Sequence, residues 1–177
     1  KWLHSGAAGR MLNADVEFFV RPSDMSQSVF KLTASGGGTQ LGQVRLGAWS
    51  GSVLFKGTSG EGELKAHDAV AAGVPVGNFR CRFSVDPTRL KVESLDAAVG
   101  FGRQAGPLAM NGSWVFHDAS FDGRIATGFD PVLLVKPLAA NRLKHQARAM
   151  DDFRFPEGSP SMEARFSGRA GSNVSFR

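Results

Sequence analysis

Four histidines, His4, His67, His117 and His145, are the side chains best suited to bind a metal or carry protons near neutral pH. Their spacing matches no HExxH, HxH or other ligand pattern, so no metal site is expected. His67-Asp68 and His117-Asp118 both stand where an alternating stretch gives way to a turn, a place that polar residues occupy anyway. The adjacent acids Asp151 and Asp152 would point to opposite sides of an extended chain. Cys81 is alone, which excludes an internal disulfide and a cysteine cluster, and its place on the apolar side of an alternating stretch suits a core thiol. The glycines of "SGGGTQ" lack the Lys-Ser/Thr of a phosphate cradle, and no GxSxG elbow is present. No catalytic residue and no cofactor is assigned, and the chain is read as non-enzymatic. A carboxylate pair converging from distant positions is the enzymatic alternative.

The elements that could position side chains are clearest from Phe79 to Leu95, "FRCRFSVDPTRLKVESL". Phe79, Cys81, Phe83 and Val85 fall on one side of an extended chain, and Arg80, Arg82 and Ser84 on the other. This is the period of two of a strand with one wet face. Asp86-Pro87-Thr88-Arg89 places Asp first and Pro second in a type I turn, where the fixed φ of proline fits. Leu90 and Val92 return on the apolar side, with Lys91 and Glu93 on the wet side. Facing Val85 with Leu90 sets Phe83 against Val92 and predicts Arg82 opposite Glu93. Each such cross-strand pair is worth ~0.2–1 kcal/mol.

The same alternation recurs on both sides of this hairpin. Ala14 to Arg21 and Ser28 to Ala34 read as strands, and the doublet Phe18-Phe19 predicts a bulge or a strand covered on both faces. Leu41 to Leu46, Gly51 to Lys56 and Gly60 to His67 read as short strands joined by "GAWS" and other turns, with "SGGGTQ" as a loop before them. "AVAAGVPVG" leads into the hairpin. Leu95 to Phe101, Pro107 to Phe116 and Ala119 to Thr127 continue the series, so the expected fold is mainly β, an antiparallel meander. Asp130 as N-cap and Pro131 at the first helical position predict a helical turn to Lys136. Pro137 interrupts it before a second helix from about Leu138 to Met150. After this Pro-interrupted helical segment near 130–150, alternation resumes at Phe153/Phe155, Met162/Ala164/Phe166 and Val174/Phe176.

Composition agrees with a single β-rich segment over 1–177. The chain is 42% apolar and 21% charged, with 22 Gly, 14 Phe and no Tyr. That is globular rather than disordered material, rich in tight turns. The net charge is +5 and the pI 9.9. The cations are dispersed, without the dense or aromatic-interleaved basic runs of a nucleic-acid reader, so no nucleic acid is expected as a partner. No window approaches the ~20 apolar residues of a membrane-spanning helix, and "KWLHSGAAGR" lacks the apolar region of a signal peptide. Without an initiator Met, and with the strand-like "SNVSFR" at its end, the chain is expected to be an excerpt of a longer protein.

Two stretches carry a resemblance. "GEGELKAHDAVAAGVPVGNFRCRFSVDPTRLKVESLDAAVGFGRQAGPLAMNGSWVF" resembles the AsmA-like repeat of Gram-negative envelope proteins, in which a Gly-x-Gly-x-Leu strand precedes a short Pro-containing segment and a series of strands. "IATGFDPVLLVKPLAANRLKHQARAMDDFRFPEGSPSMEARFSG" is similar to the segment of some such proteins where a helix precedes a further strand. Together they cover Gly60 to Gly168. The resemblance implies a curved or taco-like sheet in a repetitive, periplasmic protein anchored to the inner membrane through a part not in this chain. Its apolar face would bind or guide phospholipid or another envelope lipid between inner and outer membranes. The positions matching that lining are Phe79, Cys81, Phe83, Val85, Leu90 and Val92; no catalytic residue is carried over. A second reading is an envelope assembly factor working through protein contacts, since "AWSGSVLFKG" resembles strands of the N component of type II secretion.

Overall fold

The alternating stretches among the described residues pair with their neighbours in sequence to build one sheet. In the computed structural model, which describes residues 11–71, 73–100, 105–129, 148, 161–169 and 175–176, ten strands lie in sequence order, each antiparallel to the next. They are β1 (Met11–Phe19), β2 (Val29–Leu41), β3 (Val44–Lys56), β4 (Ser59–Ala71) and β5 (Val74–Val85). After these come β6 (Arg89–Val99), β7 (Gly106–Val115), β8 (Ser120–Thr127), β9 (Met162–Arg169) and β10 (Ser175–Phe176). The sheet is an open antiparallel meander, and a 3-10 turn at Met25–Gln27 is the one other regular element of any length among the described residues. The helical segment predicted near 130–150, and the alternation at Phe153/Phe155, lie outside the described residues but for Arg148.

The central hairpin forms as its residues dictate. The Asp86 N–H donates to the Arg89 carbonyl at 2.9 Å, and the Asp86 carboxylate accepts the Thr88 and Arg89 N–H groups at 2.8 and 3.1 Å. Val85 faces Leu90 and Phe83 faces Val92. The predicted pairing of Arg82 with Glu93 does not occur. Arg82 faces Ser94 instead, because Glu93 and Ser94 together oppose one residue of each neighbouring strand. This bulge has a clear cause: Leu90 and Val92 have even parity, whereas Leu95, Ala97 and Val99 have odd parity. Only an extra residue keeps both sets on one face. For the same reason Leu95 does not begin a new strand; β6 is continuous from Arg89 to Val99.

Three further expectations are corrected in the same way. "SGGGTQ" is not a loop but the second half of β2. "GAWS" lies inside β3, while the true turn, Gly42-Gln43, divides the stretch read as a strand from Leu41 to Leu46. "AVAAGVPVG" is the end of β4, a turn at Gly73 and the start of β5. The Phe18-Phe19 doublet makes no bulge, since β1 pairs with β2 without interruption. Neither face covers it, because both rings are exposed.

A crease explains why the strands looked broken. Gly38, Asp68 and Gly77 have φ of 60°, 51° and 61°, and with Gly47 they form a line across β2 to β5 where the pairing skips. Each strand carries one extra residue there, so apolar positions three apart return to one side: Trp49 with Leu46, Ala66 with Ala69, Phe79 with Val76. These six pack together, with Leu46, Ala66 and Ala69 buried. Gly47 is required by the close approach of its neighbour, since a Cβ there would lie 2.8 Å from the Asp68 Cβ. Beyond the crease a second cluster buries Val74, Val99 and Phe129. All six buried apolar residues among the described ones are therefore gathered at one end of the strands.

Candidate functional site

Residues paired across antiparallel strands project to the same side, so the register shows which side chains share a face. One transverse row runs Phe18, Phe30, Phe55, Gly60, Val85, Leu90, Trp114, Phe121, Gly168. The next, two residues along each strand, runs Val16, Leu32, Val53, Gly62, Phe83, Val92, Gly112, Gly123, Phe166. A third passes from Ala14 through Leu64, Cys81, Leu95, Met110 and Ile125 to Ala164. A fourth passes from Gly36 through Trp49, Ala66, Phe79 and Leu108 to Met162. No charged side chain enters these rows, and Thr127 brings their only hydroxyl. Nine strands at ~4.8 Å spacing, crossed by four rows at ~6.8 Å, make a patch on the order of 800 Å². That exceeds the few hundred Å² of contiguous apolar surface usual on a monomer.

All six residues expected to line the site fall in these rows. Val85 and Leu90 are in the first, Phe83 and Val92 in the second, Cys81 in the third and Phe79 in the fourth, each half-buried. Burial pushes the Cys81 thiol pKa up, so the thiol is held neutral and suits its apolar surroundings. Sequence reasoning missed the companions contributed by the other strands, above all Trp114, Phe121 and Phe166. The signal for them was present in the same alternation, together with glycines set opposite aromatic residues.

Those glycines shape the surface. The Phe55 ring lies over Gly60, Phe83 over Gly62 and Phe166 over Gly123, close enough that a Cβ on any of the three would meet the ring. Aromatic neighbours interlock along the first two rows, with Phe30–Phe55, Trp114–Phe121 and Phe121–Phe166 centroids at 6.2, 6.5 and 6.3 Å in tilted arrangements. Such geometry is favourable for rings. Between Leu90 and Val92 on one side and Phe121 and Phe166 on the other, with Gly112 as floor, lies a groove of about 380 Å³ walled also by Met110 and Trp114.

The opposite face is polar and internally paired. Lys31 meets Glu17 at 3.0 Å, Lys65 meets Glu63 at 2.7 Å, Lys91 meets Glu93 at 2.7 Å, and Arg80 also binds Glu63. A dish of about 550 Å³ on this side is bordered by Lys31, Glu61, Glu63, Arg82 and Glu93. Lys65 and Arg80 hold the Glu63 carboxyl below its usual range, and Lys91 and Ser84 do the same for Glu93. Ionised, partnered carboxylates of this kind are poor proton donors. His67 contacts the Asn78 side chain at 3.1 Å, while the exposed His117 lies 4.0 Å from Asp118. Asp118 in turn caps its own turn, accepting the Ser120 N–H and hydroxyl at 3.0 and 2.7 Å. Asp118 also meets the Arg169 guanidinium at 3.5 Å, so it is a turn cap and ion-pair partner. His4, His145, Asp151 and Asp152 lie outside the described residues. No three His, Cys, Asp or Glu side chains among the described residues cluster as a metal would need.

The chemistry this arrangement offers is adhesion to hydrocarbon. The rows present methyl, methylene and aromatic surface without a preferred donor or acceptor. Among the described residues no helix is long and apolar enough to cross a membrane. No family model, curated protein or solved structure matches the chain.

Proposed function

We propose that this chain is a non-enzymatic segment that holds or guides lipid acyl chains along the apolar face of its sheet. The supporting observation is the set of uncharged rows, three continuing across nine strands and a fourth across eight, whose large side chains stay only partly buried. A single-layer sheet with such a face needs an apolar covering in water. Acyl chains supply one at ~0.8 kcal/mol per buried CH₂, and they ask for no particular side chain. The resemblance to AsmA-like repeats agrees with this reading. It adds the expectation of a periplasmic setting in a Gram-negative envelope, with an inner-membrane anchor outside this chain.

Cys81 provides the test, because it is the one thiol of the chain and stands in the third row. Solvent extraction and mass spectrometry of the purified protein should recover phospholipid or fatty acid. Adding an acyl ligand to stripped protein should slow alkylation of Cys81. A Leu95→Arg variant, which brings a charge into Cys81's own row, should abolish both effects. Lipid-free protein whose Cys81 reacts at the same rate with and without ligand would refute the proposal.

A further inference from the structure

The exposed large apolar side chains are concentrated at the corner where β1 meets β2. Phe18 is 73% exposed, Phe19 58%, Val20 52% and Met25 63%. The first two pair with Phe30 and Val29 in an unbroken register, so they emerge on opposite faces of the sheet. Val20 and Met25 stand beyond them in the connection to β2. This connection is well braced. The Asp24 carboxylate accepts the Ser26 N–H at 3.1 Å, the Ser26 hydroxyl at 2.5 Å and the Gln27 amide at 2.8 Å. The Arg21 N–H donates to the Ser28 hydroxyl at 3.1 Å, and the Arg21 guanidinium binds the Gln27 side-chain oxygen. Gly57 of the next turn closes against the Ser28 carbonyl at 2.9 Å.

A flat protein surface could cover one side of this wedge and would leave the other wet. Covering Phe18, Phe19, Val20 and Met25 together takes a medium that surrounds them. The charges around the wedge select the kind of medium. Asp24 is turned onto its own loop and Glu17 is bound to Lys31. Among the described residues no carboxylate pairs with Arg21 or with Lys56, which stands in the row of Phe19. Apolar side chains flanked by unneutralised cations suit the boundary between acyl chains and anionic headgroups.

We infer that the β1–β2 corner is a preformed wedge that inserts into the surface of an anionic lipid bilayer. The inference stands on the corner alone. Phe19, Val20 and Met25 lie outside the four rows, so its failure and that of the acyl-binding reading are separable. Co-sedimentation with vesicles of mixed phosphatidylcholine and phosphatidylglycerol tests it. The wild-type chain should pellet, and a Phe19→Ser/Met25→Ser variant should lose about tenfold or more in partition. These side chains are exposed, so the urea transition of that variant should match the wild type. Arg21→Gln/Lys56→Gln should weaken binding to the anionic vesicles while leaving the weaker binding to pure phosphatidylcholine vesicles unchanged. Lipid recovered by extraction should stay the same in both variants. A wild-type chain that ignores vesicles, or variants that pellet as well as it does, would overturn the inference.

Discussion

Gly62 offers the sharpest check on how the apolar face is built. It lies in β4, under the ring of Phe83. A Cβ at this position would stand 2.6 Å from the Phe83 Cζ and 2.7 Å from the Ser52 carbonyl oxygen. The ring can turn aside at the cost of a poorer rotamer, ~0.5–1.5 kcal/mol, but the carbonyl belongs to the ladder and cannot. Overpacking of this kind costs ~1–3 kcal/mol, and the loss of glycine's freedom in the unfolded chain returns ~0.4–1 kcal/mol. Gly62→Ala should therefore destabilise by ~0.5–2 kcal/mol. Gly51, in the next row on β3, is the control, since a Cβ there meets its nearest neighbours at 3.4 Å, an ordinary contact. Gly51→Ala should be neutral or stabilising by up to ~1 kcal/mol. With a urea m-value near ~2 kcal/mol/M the two midpoints should differ by about 1 M. Adding Phe83→Leu to Gly62→Ala should recover only the part owed to the ring. If Gly62→Ala proves as stable as Gly51→Ala, rings do not lie on the glycines and the depth of the groove is misjudged.

Two other expectations concern the turns. Ala119 holds a φ of 54°, a conformation that costs a side-chain-bearing residue ~1–2 kcal/mol against a glycine entropy cost of ~0.5–1 kcal/mol. Ala119→Gly should thus stabilise by up to ~1 kcal/mol and raise Tm by ~2–4 °C in a thermal scan; an unchanged or lower Tm would contradict it. Asp24, Asp86 and Asp118 all have carboxyls held below their ordinary value of 3.8, chiefly by the side chains of Ser26, Thr88 and Ser120. A depressed folded-state pKa contributes stability above the unfolded value and loses it as pH falls through the folded one. Urea midpoints should accordingly decline below about pH 3.8. Replacing all three with Asn, which keeps the acceptor oxygen without the charge, should make the decline shallower; an identical slope would exclude them as its source.

The alternation of large apolar and polar residues was enough to read the meander, the Val85–Leu90 hairpin and one side of the candidate site. What could not be read were slips that happen in concert. Gly38, Gly47, Asp68 and Gly77 each look like a turn when their strand is taken singly, because one extra residue inverts the alternation after it. Their alignment across β2 to β5 lets the sheet continue, and alignment is a property of four segments together. The Glu93-Ser94 bulge is the same lesson on a smaller scale. Its parity change was visible, but the pairing of Arg82 with Glu93 came from carrying the Val85–Leu90 register on without a break, and keeping Leu95 on the apolar side outweighs one exposed ion pair. Trp114, Phe121 and Phe166 were missed for a related reason: each belongs to a different strand, and only the register makes them neighbours.

Since each described strand is hydrogen-bonded to the strands beside it in sequence, the sheet behaves as a stack of slats. Inserting or removing two adjacent slats would preserve strand direction and the side on which each residue emerges, and would alter only the span. Width is thus a quantity that duplication of a hairpin could tune without redesigning the rest. Assembly can likewise begin at any well-formed pair and spread outward, with no long-range closure to wait for.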